Sequence, residues 1–148
     1  MRRKSRKVAW IKAALLAHGI VRGEFYGYEA YKLFLSAGRE KWRPSIGTIY
    51  KTLGEMVEEG LLEKRSVRKT PRRIVYYYRV TNRGIETYLE KALSYADKTA
   101  FWLALVVESL VKLRKHGYRV PSSILEKLSR LCASAQLLGE NDPGSATE

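Results

Sequence analysis

Apolar residues fall along this chain in blocks of helical period, interrupted by two short alternating runs. Val8, Ile11, Leu15 and Leu16, with Trp10 and Ala14 beside them, recur as one helix face and predict a helix over 8–17, ended near His18 and Gly19. Gly27 opens a second block through Tyr28, Tyr31, Leu33, Phe34 and Leu35, closed by Gly38. In the third block Pro44 disfavours helix at Arg43 and Ser45 can cap the next turn. Ile49, Leu53, Met56 and Val57 then recur at i, i+4, i+7 and i+8, and Gly60 stops the pattern. Three helices are thus expected before any strand, the last two separated by a short charged turn, which is helix-turn-helix spacing.

The period then changes. Leu61 to Val67 and Ile74 to Val80 are β-prone runs flanking Arg68-Lys69-Thr70-Pro71-Arg72-Arg73, a basic connector between antiparallel strands, in other words a wing. Ile74, Tyr76, Tyr78 and Val80 alternate with Val75, Tyr77 and Arg79, so one face can lie on the helices while the other meets solvent or a partner. Helical spacing returns after Thr81 and runs from about Asn82 to Lys115, with room for a break near Ser94. Within it Ala100 to Val107 is apolar nearly all round, more than one small core consumes, so it needs a partner surface. His116 and Gly117 end that helix. Pro121 and a capping box at Ser123 to Glu126 start the last one, whose stripe is Ile124, Leu128, Leu131, Cys132, Ala135 and Leu138. The expected fold is mainly α with a small β-hairpin: a winged helix-turn-helix over 1–84, dimerisation helices over 85–138, and a disordered tail over 139–148.

Charge sharpens this picture because it is segregated. The 148 residues carry a net +13, and residues 1–83 hold 20 Lys and Arg against 7 Asp and Glu, whereas residues 84–148 hold 8 against 8. Solubility alone gives no reason to sort charge in this way. A surface that meets a polyanion and releases its counterions does. The single cysteine, Cys132, excludes an internal disulfide framework and reads as a small buried apolar residue in a reducing compartment. The basic start lacks a signal cleavage pattern, and the longest apolar run is far below the roughly 20 residues of a membrane span. A cytoplasmic, non-membrane protein is expected, and the scarcity of side-chain amides is in keeping with a thermophilic source.

Catalytic chemistry finds few groups to work with. His18 and His116 fall at expected helix ends, where capping and dipole contacts explain them. One cysteine without a His/Cys cluster rules out a familiar zinc site. Glu55, Glu58, Glu59 and Glu63 fall on a helix exit and a strand, which argues against a metal-dependent nuclease cleft, and Gly19 to Gly27 lacks a P-loop Lys-Ser/Thr pair. The sequence therefore reads as a non-enzyme without cofactor or metal.

The motifs resemble the PadR family of winged-helix transcriptional regulators. Gly27-Tyr28-Glu29 resembles its GYE opening, Trp42-x-Pro44-Ser45-x-Gly47-Thr48-Ile49-Tyr50 its W-x-PS-x-GT-[IL]-Y core, and Glu59-Gly60-Leu61-Leu62 its EGL segment. Pro71-Arg72-Arg73 and Tyr77-Tyr78-Arg79-Val80-Thr81-x-x-Gly84 resemble its wing and closing strand. One departure stands out: the PRR and YYR elements lie two residues further apart than in the usual pattern, which leaves wing length and register open. The resemblance implies a homodimeric repressor with C-terminal dimer helices, and family members answer to phenolic acids, drugs or no known ligand.

Candidate contacts follow. Ser45, Gly47, Thr48, Tyr50 and Lys51 are the base-reading set, since hydroxyls and an ammonium meet base edges or phosphates and Gly lets the backbone come close. Tyr50 reads equally well as a core aromatic. Arg43 is placed to clamp a phosphate beside the reading helix, and Arg68, Lys69, Arg72 and Arg73 to touch phosphate or a minor groove. Arg2, Arg3, Lys4, Arg6 and Lys7 read as a flexible arm that tracks the backbone or merely solubilises. Phe101, Trp102, Leu105, Val106, Leu128 and Leu131 are the candidate dimer interface, and the Trp102 region either packs or lines a pocket for a small hydrophobic effector. Two copies would set their reading helices roughly 34 Å apart on a near-palindromic duplex. The rival readings are a winged helix that binds a protein or RNA, and an architectural protein that binds all duplexes alike.

Overall fold

A computed structural model describes the backbone of residues 2–36 and 43–140, and the side chains of 9–36 and 43–137. Its elements run α1 (Arg2–Arg22), β1 (Glu24–Tyr26), α2 (Gly27–Ser36), α3 (Ile46–Glu58), β2 (Leu62–Thr70), β3 (Arg73–Val80), α4 (Asn82–Lys115) and α5 (Ser122–Glu140). The chain is mostly helical with a small three-stranded antiparallel sheet in the order β1-β3-β2. Two compact units divide it, residues 1–97 and 98–148.

In the first unit, Ile11, Leu15 and Leu16 of α1, Ala30 and Phe34 of α2, and Ile49, Leu53 and Met56 of α3 close on Leu61, Leu62, Phe25 and Tyr78. Burying each large side chain of this cluster is worth roughly 1.5–3 kcal/mol. The α3 stripe is the one its spacing predicts, with Val57 packed at its margin. Ser45 caps α3 in extended backbone, its Oγ accepting from the Thr48 N–H at 3.1 Å. At the far end Gly60 adopts φ 76°, and the Leu61 N–H reaches back to the Met56 carbonyl at 2.9 Å.

Four expectations change in this unit. First, a strand does precede the third helix: β1 pairs with β3 through Glu24↔Arg79, Phe25↔Tyr78 and Tyr26↔Tyr77. Three residues are too short to show an alternation, and their partner strand lies more than fifty positions away. Second, residues 2–7, read as a flexible arm, belong to α1, which also continues past His18 to Arg22; Lys and Arg are good helix formers and extend the turn already begun. Third, the basic connector of the wing is mostly strand. Arg68 pairs with Ile74 and Thr70 with Arg73, Lys69 forms a bulge, and only Pro71 and Arg72 lie between the strands. Ladder hydrogen bonds carry β2 through residues whose composition alone suggests a loop. Fourth, the alternating face of β3 is covered only in part: Tyr78 is buried and Val80 half-buried, but Ile74 and Tyr76 are exposed because the hairpin runs beyond the helices.

The first turns of α4 return to this core, where Tyr88 packs against it. Thr81 Oγ1 donates to the Gly60 carbonyl at 2.6 Å and accepts from the Gly84 N–H at 3.0 Å, which fixes the end of the sheet to the start of the helix. α4 is continuous through Ser94.

In the second unit, α4 ends at Lys115 and α5 begins at Ser122. Val107, Leu110 and Val111 of α4 face a small apolar cleft with Val120, Leu125 and Leu128. Cys132, expected to be buried, is exposed, since the described residues leave that face of α5 uncovered. Helix continues to Glu140, two residues into the expected tail; the remainder of that tail, together with Gly38 and Trp42, lies outside the described residues. Among the described residues no helix is long and apolar enough to cross a membrane.

Candidate nucleic-acid interface

With Ile49, Leu53 and Met56 turned inward, helical geometry turns Gly47, Tyr50, Lys51 and Gly54 outward, and all four are exposed. Two glycines on this face make it flatter than an ordinary solvated helix surface. Thr48 stands half-buried at its edge, with its Oγ1 2.9 Å from Ser45 Oγ, so the cap and this hydroxyl share one hydrogen bond. Thr52, one turn on, is buried and donates to the Thr48 carbonyl at 2.7 Å. Ser45 thus serves the helix end first; what it retains for a ligand is one hydroxyl lone pair or proton.

Tyr50 is neither core nor loose. Its side chain is 47 % exposed, yet its ring lies so close to Gly27 that a Cβ there would collide with it. Only a glycine at the start of α2 leaves room for the ring. The GYE glycine and the tyrosine of the GT-[IL]-Y core, twenty-three residues apart in sequence, are therefore one packing contact between α2 and α3.

Electrostatics distinguishes the basic residues. On the outer face of the sheet Glu24 pairs with Arg65 at 2.5 Å and approaches Arg79 at 3.6 Å, which offsets both. Lys12 is taken up by Glu59 at 2.6 Å and Glu55 at 3.7 Å, tying α1 to the end of α3. Those two carboxylates, weighed above as metal ligands, are thereby occupied, and no group of three or more metal-ligating side chains occurs among the described residues. By contrast, Arg68, Lys69, Arg72 and Arg73 are all exposed, and none pairs with a carboxylate among the described residues. Net positive charge thus gathers at the wing tip. Cation–π contacts stiffen the hairpin below it: Lys64 lies 4.1 Å from the Tyr76 ring, and Arg65 and Lys69 lie 5.4 and 5.7 Å from the Tyr77 ring. Arg43 is exposed just ahead of Pro44.

Between wing and helices lies a cleft of about 380 Å³ lined by Tyr26, Gly27, Tyr28, Tyr50, Arg73, Ile74, Val75 and Tyr76. Sequence reading did not bring Tyr28 or Tyr76 to the site, since one belonged to an apolar helix pattern and the other to a tyrosine run that signals packing. The usable signal was the β3 alternation, which sets Tyr76 and Ile74 on the inner face of the sheet. Tyr78, on the same face but deeper, has its phenol pushed up from the usual value by burial and then by the neighbouring Tyr50 and Tyr76.

Behind this surface His18, one turn before the end of α1, packs edge-on against Phe25 with ring centroids 5.3 Å apart. Its Nε2 is buried without a hydrogen-bond partner, 4.0 Å from Glu29 Oε1, which Arg22 already holds at 2.7 Å. Burial pulls the imidazole below its usual value; Glu29 opposes this and Arg22 adds to it. His116, at the end of α4, sets Nδ1 2.8 Å from the Lys112 carbonyl, the capping contact expected of it.

Of the six candidate interface residues in the second unit, Phe101 and Trp102 are 67 % and 65 % exposed and Leu131 54 %. Leu105 is also exposed, while Val106 is half-buried and Leu128 turns toward the seam with α4.

A family model described as the transcriptional regulator PadR-like family matches residues 15–90, which takes in α1 from Leu15 through the first turns of α4. No curated protein matches the chain. Among solved structures, a transcriptional regulator from Clostridium thermocellum is 21 % identical over 66 % of this chain and 91 % of its own, with a TM-score of 0.55. A PadR family regulator from Eggerthella lenta is 19 % identical over 69 % of this chain and 86 % of its own, at 0.55. PadR of Bacillus subtilis, in complex with operator DNA, is 18 % identical over 93 % of this chain and 77 % of its own, at 0.50. At these identities the likeness is one of fold.

Proposed function

The chain belongs to the PadR-like family of transcriptional regulators, and on that premise we propose that it binds duplex DNA sequence-selectively as a homodimer and represses transcription in the cytoplasm. The observation that carries this is the pairing, within one unit, of a flat outward face on α3 with a wing tip whose four cations lack carboxylate partners among the described residues. Gly47, Thr48, Tyr50 and Lys51 read base edges in the major groove, with Ser45 at its margin. Arg43, Arg68, Lys69, Arg72 and Arg73 supply phosphate contacts that are indifferent to sequence. The exposed Phe101, Trp102, Leu105 and Leu131, with Val106 and Leu128 beside them, close on a second copy, since so much apolar surface on one helical pair is costly in water. Any effector site around Trp102 forms only with that second copy, because the ring is open to solvent in a single chain.

Selection of bound fragments from a random duplex pool tests the reading. Enrichment of a near-palindrome with half-sites about one helical turn apart is expected. Thr48→Ala then weakens binding to the enriched site by about 1–3 kcal/mol while its affinity for random duplex stays within about twofold. Recovery of no motif, or equal retention of duplex, single strand and structured RNA in a gel shift, overturns it.

A further inference from the structure

We infer that the cleft between wing and reading helix seats one deoxyribose-phosphate unit of the duplex backbone, an inference that rests on the duplex-binding reading above. The chemistry of the lining suits that ligand. Arg73 supplies a cation without a carboxylate partner among the described residues, Tyr28 and Tyr76 supply phenol hydroxyls, and Ile74 with the tyrosine rings, that of Tyr50 among them, supplies the apolar wall a sugar needs. Openness argues for a strand over an enclosed small molecule: Tyr28, Tyr50, Tyr76 and Ile74 are each between 43 % and 48 % exposed, whereas pockets for small ligands enclose most of their occupant. Position argues the same way. Tyr50 belongs both to the cleft and to the outward face of α3, so a backbone flanking the groove that receives Gly47 and Lys51 passes directly over it. The contact of Tyr50 with Gly27 holds that wall still, and Lys64 over the Tyr76 ring holds the other.

Anisotropy titration of the full chain with a labelled random-sequence duplex, over a salt series, separates the contributions. Arg73→Gln lowers the steepness of the salt dependence by about one counterion. Tyr28→Phe, which keeps the ring and the fold, weakens binding about tenfold at fixed salt and leaves that steepness alone, because a neutral hydroxyl releases no ion. The two changes are non-additive when combined, since both groups serve one phosphate. Arg72→Gln, at the turn and outside the cleft, combines additively with Tyr28→Phe. Wild-type binding that is indifferent to Tyr28→Phe, or strict additivity of Tyr28→Phe with Arg73→Gln, overturns the cleft and leaves the duplex reading standing; no duplex binding at all overturns both. Inorganic phosphate titrated alone leaves tyrosine emission unchanged, as an isolated anion lacks the sugar contact. Saturation by phosphate alone, with duplex binding insensitive to the variants, assigns the cleft to a free anion and overturns the inference.

Discussion

At the scale of single residues, Gly27 and Tyr50 show how a site depends on an atom that is missing. The tyrosine ring rests where a Cβ of residue 27 would project, so its orientation on the outward face of α3 is set by the absence of a methyl group. Gly27→Ala moves the ring, which is half-exposed and has room to swing, and leaves the core cluster intact. The expected outcome is a melting temperature within a few degrees of the parent and duplex affinity lower by about tenfold, roughly 1.4 kcal/mol, read by calorimetry and anisotropy on the same sample. A large loss of stability with unchanged affinity would show that Gly27 serves the fold alone. Ser45 has the opposite balance, because its hydroxyl caps α3 and holds Thr48 before it meets any ligand.

At the scale of elements, the helix-turn-helix and the wing are joined by buried pieces that titrate. His18 on α1 lies edge-on to Phe25 of β1 and near Glu29 of α2, and burial holds its imidazole below the ordinary value of about 6.5. The unfolded chain therefore takes up the proton first as pH falls. The stability due to neutral His18 is fully present above pH about 6.5 and is lost progressively below it, down to the lowered folded value. Melting followed from pH 7.5 to 5.5 is expected to fall in the parent and to be flatter in His18→Gln. Identical slopes in the two proteins would remove His18 from the account. The wing illustrates a second elemental rule: a bulge at Lys69 and a two-residue turn at Pro71 and Arg72 set which cations reach the tip, and Glu24 on the neighbouring strand removes Arg65 and Arg79 from that set.

At the scale of the whole molecule, charge and apolar surface are segregated along the chain, the net +13 lying on residues 1–83 and residues 84–148 summing to zero. The basic half carries the outward face of α3 and the wing tip, and the electroneutral half carries exposed Phe101 and Trp102. Phe101→Glu with Trp102→Glu is expected to shift the sedimenting species from dimer to monomer, and to weaken binding to a palindromic site far more than to a half-site, because two linked half-sites bind with an effective concentration that a monomer lacks. A monomeric parent, or a variant that stays dimeric, would refute that assignment of the apolar surface. Circular dichroism distinguishes dissociation from unfolding, since α4 is expected to keep its helix.

Features that depend on local period and local chemistry were legible in the residues alone. The stripe Ile49, Leu53, Met56 fixed which side of α3 turns inward, Ser45 and Gly60 marked its ends, and the segregated lysines and arginines placed the whole net charge on residues 1–83. The tertiary structure alone decided what depends on residues distant in the chain. It set β1 against β3, because a three-residue strand exists only through its partner, and it carried β2 through Arg68 to Thr70, because ladder bonds outweigh weak propensity. It also brought Tyr28, Tyr50, Arg73 and Tyr76 around one cleft. Periodicity reports the direction a side chain takes from its own element, and the neighbours it finds there are set by the packing of elements whose separation along the chain leaves no local trace.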